Sequence, residues 1–300
     1  MHFNYFKNIF IMEKKPIVVG MGELLWDVLP TEKKAGGAPV NFAYHASQSG
    51  AEAYALSAIG NDALGDELME QLDKNKINGD YISRVDYPTG TVQVELNDGI
   101  PSYTIIEGVA WDHIPLTPKS VELLKQASAV CFGTLAQRAE ESLSTLQTLL
   151  SHMPADSLRF FDINIRQHFY NKELIEQSLR LANVFKINDE ELLLIRPMFG
   201  LEGTDEEVCR WFMKQFNLRY VILTAGAEYS TIYAEGESST LPTPKVTVAD
   251  TVGAGDSFSG SFVASILAGK SLREAHERAV KVAAFVCTQH GAWPTYPKEL

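Results

Sequence analysis

Two acids bracket a glycine-rich run in Asp250-Thr251-Val252-Gly253-Ala254-Gly255-Asp256, and apolar Phe258, Phe262, Val263, Ile266 and Leu267 then recur at helical spacing up to Gly269. The run therefore stands at a helix N-terminus. Backbone amides there lack intrahelical partners and the dipole is positive, so phosphate oxygens can bind without a lysine side chain. Glycine lets the backbone approach closely. Asp256 could accept the proton of an alcohol whose oxygen attacks a phosphate held over Gly253, Ala254 and Gly255, a contribution of roughly 100- to 10,000-fold. The alternative for Asp256 is a capping acid, worth about 1 kcal/mol.

A second glycine run, Gly36-Gly37-Ala38-Pro39-Val40-Asn41-Phe42-Ala43, lies far upstream in the chain. The two segments resemble, in the expected order, the N-terminal motif and the C-terminal D-T-x-G-A-G-D motif of the ribokinase-like sugar kinases, the PfkB carbohydrate kinase family. The resemblance implies Asp256 as catalytic base and the amides of Gly253, Ala254 and Gly255 as an anion hole. It also implies that Gly36, Gly37 and Asn41 meet sugar hydroxyls, joined by Asp27, where the family places a sugar-binding acid. Glu23-Leu24-Leu25 resembles the opening of the fructokinase branch.

Other segments fit the same pattern. Asn188 and Glu191 occupy the positions of the family's N-x-x-E motif, which organises Mg²⁺ and phosphates; an Asn capping an acidic helix start is a compatible reading. Asp162-Ile163-Asn164-Ile165-Arg166 resembles a D-x-N-x-R element, so Arg166 could pair with phosphate or substrate oxygens through its planar fork, or form a surface ion pair. Thr224 and Gly226 match a T-x-G nucleotide contact. Gln137 and Arg138 are weaker candidates, placed past a strand end where such folds bind ligands. The family's monovalent-cation loop would draw oxygens, mostly backbone carbonyls, from Asp250, Val252, Val286, Gln289 and Gly291; Gln289 stands where the family usually has Arg, which leaves potassium dependence open.

Residues 264–271 nearly spell a phosphate-binding Walker loop, but the first glycine is missing and the stretch reads as a helix and its end. His45 and His290 have no second His or Cys at metal spacing and read as packing or surface residues.

Around these motifs, strand-like runs at 17–21, 53–58, 130–132, 159–162, 184–187 and 220–224 alternate with helical stretches at 39–49, 140–151, 172–182, 205–216 and 272–289. That alternation predicts an α/β fold with a mainly parallel sheet. The resemblance makes it a ribokinase-like three-layer α/β/α core in one domain over 12–300. A period-two stretch near 89–108, turning at Asn97-Asp98-Gly99, predicts a hairpin, which the resemblance makes a small β lid over the sugar and a homodimer contact. Tyr103 and Trp111 are candidates for setting substrate choice.

The formal net charge of −12 argues against nucleic-acid and anionic-membrane partners. Three scattered cysteines, Cys131, Cys209 and Cys287, suggest neither a disulfide framework nor a zinc site and fit a cytoplasmic location. Residues 1–11 are apolar but too short for a signal peptide, and Met12 is an alternative start. The expected activity is that of an ATP-dependent sugar kinase using Mg²⁺, with fructose converted to fructose 6-phosphate. Ribose, 2-keto-3-deoxygluconate, a nucleoside or a sugar phosphate are alternatives on the same fold, and a non-catalytic sugar-binding regulator is one of another class.

Overall fold

Consecutive residues on the central strands serve opposite faces of one sheet: Val18 and Phe160 join one buried cluster, Val19 and Phe161 the other. A computed structural model describes residues 15–97 and 100–300, so the extension 1–11, the alternative start at Met12 and the turn residues Asp98 and Gly99 lie outside the described residues. Numbered along the chain, the main sheet runs Glu237–Pro242 (β13), Tyr229–Ala234 (β12), Tyr220–Ala225 (β11), Val184–Asn188 (β10), Leu158–Asp162 (β9), Ala129–Phe132 (β8), Ile17–Met21 (β1), Glu52–Gly60 (β4) and Asn78–Val85 (β5). Neighbours are parallel except β11 with β12 and β12 with β13. β1 pairs with β4 on one side and β8 on the other, so the strand order reverses there and opens a crevice beyond the strands' C-terminal ends.

Helices cover both faces. Ala38–Gln48 (α1) packs on one face, and Ala63–Lys74 (α2) buries Leu68 and Leu72 in a separate cluster beside it. Pro118–Leu124 (α3), Glu140–Ser151 (α4), Lys172–Leu181 (α5), Asp189–Ile195 (α6) and Asp205–Gln215 (α7) cover the opposite face with Leu149, Leu179, Leu192 and Phe212. Ala254–Leu267 (α8) and Leu272–Cys287 (α9) return to the side of α1, with Phe258, Phe262 and Ala279 in the core. Burying each large apolar side chain of this kind contributes about 1.5–3 kcal/mol.

One close approach decides the site. A Cβ on Gly260 of α8 would stand 2.6 Å from the Phe42 carbonyl oxygen and 2.9 Å from the Ala46 nitrogen, so α1 and α8 cross with backbone nearly touching backbone. The crossing brings the start of α8 beside Asn41.

The hairpin expected near 89–108 forms as Gly90–Asn97 (β6) and Ile100–Ile105 (β7), but it is half of a larger unit. Leu25–Val28 (β2) pairs in parallel with β6, and Lys33–Gly36 (β3) pairs antiparallel with β2, giving a four-stranded sheet of order β3-β2-β6-β7. Asp27 is therefore on β2. Both strands have four residues, too short for a period to register. Residues 264–271 lie in the end of α8 and the turn after it, and no described helix is long and apolar enough to cross a membrane.

Candidate active site

The start of α8 is left open by its own sequence. Gly253 is the N-cap, with φ 78° and no side-chain capping bond. A Cβ there would meet Ala292 at 3.0 Å in a left-handed conformation that side chains resist. The Ala254 amide bonds back to the Thr251 carbonyl at 3.2 Å and that of Ser257 to Gly253 at 2.8 Å, whereas those of Gly253 and Gly255 have no partner among the described residues.

Asp256 is the third residue of α8, and its carboxylate does not cap the helix. Its Oδ2 accepts a hydrogen bond from Asn41 Nδ2 at 2.8 Å across the helix crossing. Burial, reinforced by the charge of Asp162, pushes its pKa up to about 6, against the opposing Asn41 bond, the Lys186 ammonium and the Arg166 guanidinium.

Two groups to which sequence reasoning gave no role in the site stand close by. Lys186 Nζ bonds Asp162 Oδ2 at 2.7 Å, and a Cβ on Gly255 would lie 3.3 Å from that Nζ, so a buried ammonium sits directly behind the amide run. Burial opposes the Lys186 charge, but Asp162, with Asp256 and Glu191 behind it, outweighs burial and raises the pKa. A lysine inside the apolar strand Val184–Asn188 was the available signal. Glu23, on the loop between β1 and β2, is 4% exposed, and its Oε2 has no hydrogen-bond partner among the described residues. Burial, with help from Asp256, pushes its carboxyl up to about 7.

On the small-sheet side, Asp27 stands opposite Lys34 in the β2–β3 pair, and a Cβ on Gly36 would be 3.5 Å from Asp27 Oδ2. Burial raises the Asp27 pKa, countered by Arg166 and Lys34. Arg166 is exposed, donates only to the neighbouring Ile165 carbonyl and has no carboxylate partner among the described residues. The loop carrying it is tied to β7, because Gln167 Nε2 donates to the Tyr103 carbonyl at 2.6 Å.

Asn188 and Glu191 form a reciprocal capping box on α6: Asn188 Oδ1 accepts from the Glu191 amide at 2.7 Å, and Glu191 Oε2 accepts from the Asn188 amide at 3.0 Å. Glu191 Oε1 also accepts from the Ile165 amide at 2.8 Å. Thr224 lies beside Asn188 in the β10–β11 register, and Gly226 follows with φ 46°. These residues line neighbouring strand ends on the flank of the crevice.

The segments named for a monovalent cation do come together. Gly291 N and Val252 N donate to the Asp250 carboxylate at 3.2 and 3.0 Å, and Lys34 Nζ stands 3.5 Å from it. Burial works against the Asp250 charge, but those amides and Lys34 outweigh it and hold its pKa low. The Val286 carbonyl accepts from Gln289 N at 2.9 Å.

Gln137 and Arg138 are engaged by the scaffold. Arg138 forms a buried ion pair with Asp112 at 2.7 and 2.9 Å, lies over the Trp111 ring and bonds the Ile106 carbonyl at the end of β7. Trp111 is only 1% exposed, packed beneath that guanidinium, whereas Tyr103 is 57% exposed. Gln137 Nε2 bonds the Gly133 carbonyl and Ser178. His45 is a packing residue, holding Ala292 and Tyr296.

Comparison with known proteins identifies the family. A sugar kinase from Pyrococcus horikoshii, crystallised in complex with ATP, superposes with a TM-score of 0.80 at 27% identity, covering 94% of this chain and 96% of that one. An ATP-dependent 6-phosphofructokinase of Thermoanaerobacterium thermosaccharolyticum is 26% identical over 307 residues, 97% of this chain and 94% of its own. A fructokinase of Escherichia coli is 26% identical over 302 residues, 92% of this chain and 95% of its own. The model of the pfkB family of carbohydrate kinases matches residues 11–299, and with its ribokinase-like α/β fold the chain belongs to that family.

Proposed function

We propose that the chain is an ATP-dependent sugar kinase that phosphorylates D-fructose to fructose 6-phosphate. The observation that carries the reading is Asp256 at the third position of a helix without a side-chain cap, its carboxylate held by Asn41 2.8 Å away, beside glycine amides that have no partner among the described residues.

In this reading the sugar lies against Asp27, Gly36, Gly37 and Asn41, with Arg166 nearby and the small sheet above as a lid. Its primary hydroxyl faces Asp256, which takes the proton as the hydroxyl oxygen bonds to the γ-phosphorus of ATP and the bond from that phosphorus to the bridging oxygen breaks, releasing ADP. Bound Mg·ATP supplies the phosphoryl group, and the open amides with Lys186 behind them fit its anionic end. These donors stabilise negative charge through fixed dipoles rather than by moving. Asn188, Glu191, Thr224 and Gly226 form the flank for the nucleotide. Magnesium keeps several waters, so Asn188 and Glu191 would act toward it through water, with Glu191 held in place by the amides its two oxygens accept from. Asp250, Val252, Val286, Gln289 and Gly291 remain the candidate potassium loop, with Lys34 already neutralising part of the Asp250 charge. Tyr103, exposed on the lid, and Ile106, 37% exposed just beyond β7, supply apolar surface for a homodimer contact.

A second reading replaces fructose with a sugar phosphate. It is favoured by the exposed guanidinium of Arg166, which lacks a carboxylate partner among the described residues, and by the likeness to a 6-phosphofructokinase.

The deciding experiment is an ADP-release assay with Mg·ATP and potassium across fructose, fructose 6-phosphate, ribose, 2-keto-3-deoxygluconate and a nucleoside. Selective turnover of fructose supports the first reading, and preference for fructose 6-phosphate that vanishes in Arg166→Ala supports the second. Sugar binding by calorimetry without any turnover overturns both.

A further inference from the structure

The base is not held by Asn41 alone, because Asn41 is itself held. Trp293 Nε1 donates to Asn41 Oδ1 at 2.8 Å, while Asn41 Nδ2 donates to Asp256 Oδ2 at 2.8 Å. An indole nitrogen can only donate and an ionised carboxylate can only accept. Swapping the ends of the Asn41 amide would set donor against donor and acceptor against acceptor. With Asn41 only 4% exposed, water cannot readily repair such a mismatch.

Trp293 belongs to a strap, residues 291–296, that is tied down along its length. Gly291 N bonds Asp250 Oδ2 at 3.2 Å, and Ala292 lies against the N-cap glycine of α8. His45 Nε2 is 2.9 Å from the Ala292 carbonyl, and His45 Nδ1 is 2.7 Å from the Tyr296 hydroxyl. A carbonyl can only accept, so Nε2 carries the hydrogen and Nδ1 accepts from Tyr296. Burial pulls the His45 pKa down to about 3, so this arrangement persists through neutral pH. Tyr296 N also donates to Gln48 Oε1 at 3.3 Å.

We propose that Trp293 is a positioning residue for phosphoryl transfer: by fixing the flip of the Asn41 amide, it keeps an N–H directed at the carboxylate of Asp256. The inference rests on Asp256 being the base. The other charged groups acting on Asp256 are Asp162 and Lys186 on the strands beneath it, Arg166 on the loop after β9 and Glu23 after β1, and none of them touches Trp293. The strap therefore governs the one neutral contact that favours the ionised base.

Trp293→Phe keeps the ring and removes the donor, leaving Asn41 free to turn. The expected result is a folded enzyme whose acidic limb of kcat/KM moves up by about one pH unit, the scale of one hydrogen bond to a charged group, with little change in sugar KM. A Trp293 that merely stabilised the fold would lower the active fraction and leave the limb in place, and that outcome overturns the proposal. If Trp293 acts through Asn41, the shift disappears when Trp293→Phe is made in an Asn41→Ala background; a shift persisting there in full also overturns it. Carboxyl-carbon NMR titration of Asp256, assigned with Asp256→Asn, reads the same shift without turnover. Full activity in Asp256→Asn would sink the base assignment, while an unmoved Asp256 titration in Trp293→Phe would sink the role of the strap.

Discussion

Two helices begin at the crevice with opposite treatments of their first amides. α6 is closed by its own side chains, with Asn188 and Glu191 satisfying each other's backbone. α8 starts from a left-handed glycine with no capping side chain, and its acid turns away to Asn41. A cap of the first kind is worth about 1 kcal/mol. Forgoing it at α8 leaves amides available to an anion, so one helix start is closed by its own side chains and the other stays open where the proposed chemistry would occur.

Substitutions at the two starts should therefore fail differently. Asp256→Asn should fold and bind both ligands yet lose at least ~100-fold in kcat, the scale of a missing general base; near-normal turnover would break the contrast. Gly253→Val forces a side chain into the left-handed region and against Ala292, at a cost of about 1–3 kcal/mol. Its KM for ATP should rise about tenfold, as roughly 1.4 kcal/mol of lost binding requires, and steady-state kinetics would show it.

The pH response sharpens the comparison. Burial pushes the Asp256 pKa up to about 6 from an ordinary 3.8, so with Asp256 as the proposed base kcat/KM should fall below about pH 6 as its carboxylate is protonated. Between those values the folded state holds a proton that the unfolded state has released. Stability contributed by this group is thus lost as pH rises through the window. Asp256→Asn should consequently melt higher than wild type at pH 7, measured by calorimetry.

The smallest effect belongs to α6. Asn188→Ala should lower Tm by about 2–4 °C, the equivalent of one lost cap, and Asn188→Ser, which retains an acceptor, should recover it. A loss of ATP affinity that survives Asn188→Ser would mark a ligand role separate from capping.

Local features of this site were legible in the sequence. The glycine run, the acid after it and the N-x-x-E box depend on neighbours three or four residues away, and each took its expected position on a helix start. Missed features depend on distant partners. β2 acquires strand character by pairing with β6 and β3 by pairing with β2, and Lys186 matters only because Asp162 and Gly255 come to meet it. β12 and β13, which extend the sheet antiparallel, also went unread: β13 alternates weakly, with only Ser239 buried. Trp293 was invisible for the same reason, because its bond to Asn41 spans 252 positions and exists only through the α1–α8 crossing that Gly260 permits.

The strap carries a consequence for the order in which the enzyme is built. All nine strands of the main sheet and both crossing helices precede residues 291–296 along the chain, so during synthesis they leave the ribosome first. Until the strap follows, Asn41 has no Trp293 to fix its amide, and the N-cap glycine lacks the Ala292 packed against it. A nascent chain can thus assemble its sheet before Asn41 and Asp256, the proposed base, are aligned.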